Sequence, residues 1–160
     1  MRHFTLTASL VGLSALAGCS STSTATGAAG PSPPTESRSA VGQGFAAASD
    51  ALTTAVTQVK TALASVTSVS QIVGPITKYA TALDSFDNTV LHLGASGQTA
   101  TDIRTVVTYN GAIIGELNAL GSQTPATLPA WESAISVNQG KAAQATDAVR
   151  ADLGLPPPAN

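Results

Sequence analysis

The sequence predicts an all-α protein whose folded part is an antiparallel, up-down-up-down four-helix bundle over residues 41–154. Three observations carry that expectation. In four separate segments the apolar residues recur at spacings of three and four, which keeps them on one face of a helix and on neither face of a strand. Glycine or proline marks the ends of the segments, at Gly94, Gly121, Pro125 and Gly154. The connections are short, so each helix must fold back along its predecessor, and helices so joined pack at shallow crossing angles.

The first segment carries Phe45, Ala48, Leu52, Val56, Val59, Leu63 and Val66, and is expected to be helical over about 42–68. Its many Thr and Val residues favour a strand by propensity alone. Period-two alternation fails, however, because Val56, Val59, Leu63 and Val66 cannot share one strand face. The second segment repeats Ile72, Ile76, Tyr79, Leu83, Phe86, Val90 and Leu93. Gly74-Pro75 places a proline where a first helical turn tolerates it, so the regular helix is expected to start there, with Gly94 ending it. The third holds Ile103, Val106, Asn110, Ile113, Leu117 and Leu120, with Thr99 or Thr101 as its cap and Gly121 as its stop. The fourth follows the Thr124-Pro125 and Leu128-Pro129 turns. It runs through Leu128, Trp131, Ile135, Asn138, Ala142, Ala145 and Val149 to Leu153, where Gly154 and the Pro-rich tail of residues 155–160 stop it.

Two asparagines break the apolar stripes. Asn110 precedes the third turn by about as many residues as Asn138 follows it, so antiparallel pairing sets both at a similar height, roughly 15 Å from that turn. A buried amide pair there would fix helix register, or would serve as the polar handle of a ligand pocket. The register role is the expectation.

The N-terminus carries a different kind of information. Met1-Arg2-His3 is weakly basic, and Phe4 to Ala17 is an apolar stretch. At 1.5 Å per residue that stretch spans roughly 21 Å, short of a bilayer core of about 30 Å, so it reads as a secretory leader and not as a membrane span. The chain's single cysteine stands directly after it, in Leu16-Ala17-Gly18-Cys19. This run resembles the lipobox of bacterial lipoproteins. The resemblance implies removal of residues 1–18, a diacylglyceryl group on the Cys19 sulfur, and a domain held on a membrane from outside the cytoplasm. Ala15-Leu16-Ala17 also fits an ordinary leader-peptidase site, which would release the protein with a free thiol. Paired acyl chains satisfy the need of a stable anchor for more than one lipid signal. Residues 19–40, rich in Ser, Thr, Gly and Pro, are expected to be a disordered tether below the bundle.

Composition narrows the function classes. Only 10% of residues are charged and 4% aromatic, and the Lys and Arg residues are too scattered for a nucleic-acid surface. Asp84, Asn88 and His92 lie on one stripe of the second helix, the single place beyond the leader where histidine meets a carboxylate at ligand-like spacing. That stripe lies off the Leu83, Phe86 and Val90 face, so a solvated surface is expected there, with no metal or other cofactor. Tyr79 and Trp131 read as packing residues, and Asp147 with Arg150 as a weak intrahelical pair. No Gly-x-Ser-x-Gly and no Gly-rich phosphate loop is present, and enzyme activity is not expected.

The Ala/Thr-rich helices and the closing Ala-Asp-Leu-Gly-Leu-Pro-Pro run are similar in texture to small, functionally uncharacterised lipoproteins of actinobacteria. That texture carries no functional residue across. The expected function is a membrane-anchored, non-catalytic helical module that contacts an envelope protein or the cell wall. The alternative is a carrier or sensor that holds an apolar small molecule or lipid between its helices, oriented by Asn110 and Asn138.

Overall fold

The computed structural model describes residues 35–157, with Thr35, Glu36, Ser37, Val69 and Ser70 described by backbone alone. Four helices fill this span: α1 (Thr35–Ala64), α2 (Val69–Leu91), α3 (Gly97–Asn118) and α4 (Leu128–Leu153). A short 3-10 turn, Ala119–Ser122, closes α3. No strand occurs among the described residues, and the helices pack as the expected bundle. No helix among them is long and apolar enough to cross a membrane.

Contacts at both ends set the directions of the helices. Phe45 of α1 meets Phe86 of α2 edge to face, with ring centroids 5.9 Å apart, while Val56 and Val59 share a cluster with Ile72 and Ile76. Thr99 of α3 faces Asp152 of α4, and fifteen residues apart in the chain Glu116 faces Trp131. α1 and α2 therefore run antiparallel, and so do α3 and α4. The core divides into two clusters along the bundle. Near the start of α1 lie Phe45, Ala48, Phe86, Val90, Ile103, Val106 and Val149. Toward the other end lie Val59, Ile76, Tyr79, Leu83, Ile113, Leu117, Trp131 and Ile135, among others.

Four helix ends differ from expectation. α1 begins at Thr35, so residues 35–40, expected within the tether, are helical; it stops at Ala64 and not near 68. Arg38, Ser39 and Ala40 are exposed and continue a helix already anchored by Val41 and Phe45. Pro75 does not open α2 but lies inside it. The helix starts earlier because the Gln71 amide oxygen accepts hydrogen bonds from the backbone N–H groups of Thr67 and Ser68, at 2.9 and 3.1 Å, capping the first turn. The cap of α3 is Ser96, not Thr99 or Thr101.

Two glycine stops stand where the sequence places them. Gly94 (φ 70°) follows α2, and Gly154 (φ 68°) caps α4, both in the left-handed region that glycine enters without a Cβ penalty. Beyond Gly154 the Leu155 N–H returns to the Arg150 carbonyl at 2.8 Å, and the Leu155 side chain packs against the core. The tail is thus pinned where it leaves the helix. Arg150 contributes too, donating from both Nε and Nη2 to the Pro156 carbonyl.

Candidate functional site

Along α2 and α3 the two apolar clusters meet at one polar contact. Leu83 belongs to one cluster and Phe86 and Val90 to the other; on α3 the same boundary falls between Ile113 and Val106. Asp87 and Asn110 occupy that boundary, only 7% and 4% exposed. The Asn110 amide nitrogen donates to Asp87 Oδ1 at 2.7 Å. Asn110 thus takes the interior place expected of it, but its partner is Asp87 and not Asn138. Asn138 is half-buried on α4 and makes no side-chain hydrogen bond among the described residues.

Burial pushes the Asp87 carboxyl up to about 6, because its charged form loses water that one neutral amide only partly replaces. The Asn110 hydrogen bond works in the opposite direction, and the like charge of Asp84 adds to the rise. No cation pairs with Asp87 among the described residues.

The other candidates resolve into structural roles. Trp131 is buried and its indole N–H donates to the Glu116 carbonyl at 2.6 Å, tying the start of α4 to the end of α3. Tyr79 is buried, with the Gln139 amide donating to its Oη at 3.5 Å; burial raises its phenol above the ordinary value. Asp84, Asn88 and His92 do share one exposed stripe. There the Asn88 amide donates to the Asp84 carbonyl at 2.9 Å, and His92 Nδ1 donates to the Asn88 carbonyl at 2.6 Å. Each side chain is satisfied within its own helix and faces solvent. Among the described residues no group of three His, Cys, Asp or Glu side chains is placed to hold a metal ion. Arg150, expected beside Asp147, gives its guanidinium to Pro156 and acts on Asp147 only through space, where it offsets part of the rise that burial causes.

A shallow open groove of about 170 Å³ runs between α1 and α2, lined by small side chains such as Ala48, Ala51, Ala82 and Ser85. It touches neither Asn110 nor Asn138. Cys19, with Leu16, Ala17 and Gly18, lies outside the described residues. No family model, curated protein or solved structure matches the chain.

Sequence reasoning missed Asp87. The signal was present, because Asp87 stands four residues after Leu83 and three before Val90 and so falls on the same stripe. Phe86 occupies the neighbouring position and drew the assignment.

Proposed function

We propose that this chain is a lipoprotein, held by diacylglycerol on Cys19 at the extracytoplasmic face of a membrane, whose bundle is a non-catalytic module for contact with an envelope protein or the wall. The observation that carries the reading is the placement of the single cysteine, directly after a 14-residue apolar stretch and Leu16-Ala17-Gly18. The character of the bundle supports its second half. Asn110 is only 4% exposed and donates to Asp87, which suits a register role between α2 and α3. The groove between α1 and α2 is open to solvent and is lined by Ala, Ser and Thr side chains with Leu52 and Phe86, none of them titratable.

The anchor is tested by growing a bacterium that expresses the full chain with an alkyne-bearing fatty acid, then fractionating the cells. Label on the protein, lost in Cys19→Ser together with membrane association, is the expected result. A natural chain that takes no label, or a Cys19→Ser chain that still sediments with membranes, would reject the anchor. Crosslinking in the same cells tests the contact role: discrete adducts to envelope components are expected, and their absence alongside a small molecule copurifying with the bundle would reverse the choice.

A further inference from the structure

We propose that Asp87 and Asn110 form a proton-operated latch between α2 and α3, tight while the Asp87 carboxyl keeps its proton and slack once it ionises. The inference rests on where the pair sits. A carboxyl 7% exposed lies at the boundary of two apolar clusters and holds one neutral donor from the opposite helix at 2.7 Å. A protonated carboxyl is neutral and suits such a place, whereas a carboxylate needs water or a cation to replace its lost hydration.

No charged group packed around it supplies that compensation. On α2 the neighbouring charge is Asp84, of the same sign. The ionisable side chains of α3, Asp102, Arg104, Tyr109 and Glu116, make no hydrogen bond or ion pair with Asp87 among the described residues. Neither do Asp50 and Lys60 of α1, nor Glu132, Lys141, Asp147 and Arg150 of α4. The rise of the Asp87 carboxyl to about 6 agrees with this geometry and sets the working range between mild acid and neutrality.

On ionisation the proton leaves for solvent and the Asn110 hydrogen bond remains. The charge must then be hydrated more fully than a carboxyl 7% exposed allows, and that added water loosens the seam where Leu83, Phe86 and Val90 meet Val106 and Ile113. The latch therefore links external pH to how firmly the two clusters are joined.

The test is amide hydrogen exchange on the full chain at pH 5 and pH 7.5, corrected for intrinsic rates, in the natural protein, Asp87→Asn and Asp84→Asn. Exchange over residues 83–90 and 106–113 is expected to quicken roughly tenfold at the higher pH in the natural protein and in Asp84→Asn, but not in Asp87→Asn. Equal quickening in Asp87→Asn would overturn the latch. If that variant fails to fold, the ¹³C carboxyl titration of Asp87 in the natural chain decides. A midpoint well above the other aspartates supports the latch, and one among them refutes it.

Discussion

Two faces of α2 carry the same chemistry to opposite ends. On the outer face, Asp84 and Asn88 stand one turn apart in solvent, and the Asn88 amide is satisfied by its own helix. On the inner face, Asp87 meets Asn110 across the seam with α3 and is almost wholly enclosed. Both faces present a carboxyl and an amide, yet only the inner pair joins two helices, and burial drives the carboxyl of Asp87 upward. A polar group acquires energetic weight from the water it loses, not from its residue type.

The first way to calibrate this contrast is Phe86→Ala, which removes a buried ring adjoining Asp87 and its edge-to-face contact with Phe45. A loss of about 3–5 kcal/mol is expected from chemical denaturation. A loss under 1 kcal/mol would mean that the inner face is not tightly packed.

Asn110→Leu should come next, at about 2–3 kcal/mol near pH 7, because it leaves Asp87 buried without its donor. The same variant should lose much less at pH 4, where the carboxyl is neutral. A pH-independent loss would assign the effect to shape rather than to charge.

Asp87→Asn should stabilise the protein by about 1–2 kcal/mol at pH 7 and change little at pH 4. The sign follows from the direction of the shift. The carboxyl rises from 3.8 to about 6 on folding, so the native chain binds the proton more tightly than the unfolded one. Its stability contribution is complete below about pH 4, falls as pH rises to about 6, and is level above that. Asp147 and Asp152 are shifted in the same direction, chiefly by burial, so the natural protein should be more stable in mild acid than at neutrality. Thermal midpoints that rise from pH 5 to pH 7.5 would contradict this.

The outer face should respond least. Asp84→Asn and His92→Ala are each expected to stay within about 0.5 kcal/mol, since exposed side chains bonded within their own helix contribute little. A larger effect on thermal stability would break the comparison itself.

Much of this was legible in the sequence. The apolar stripes, the glycine stops at 94 and 154, the inward place of Asn110 and the solvated place of Asp84, Asn88 and His92 all follow from helical period and local backbone chemistry. Helix starts were less legible. Whether Pro75 opens or interrupts α2 turned on the Gln71 side chain reaching back to Thr67 and Ser68, a contact that no period reveals.

By itself, the sequence determined the helical class, the four apolar faces and the glycine stops at 94 and 154, because these depend on residues within a few turns of one another. Tertiary structure alone decided which polar groups would meet. The amide of Asn110 could be satisfied from any helix around it, and the choice of Asp87 over Asn138 depended on small rotations that set which side chains face across each seam. Those rotations are fixed by the packing of all four helices together, and so is the burial that makes Asp87 different from Asp84.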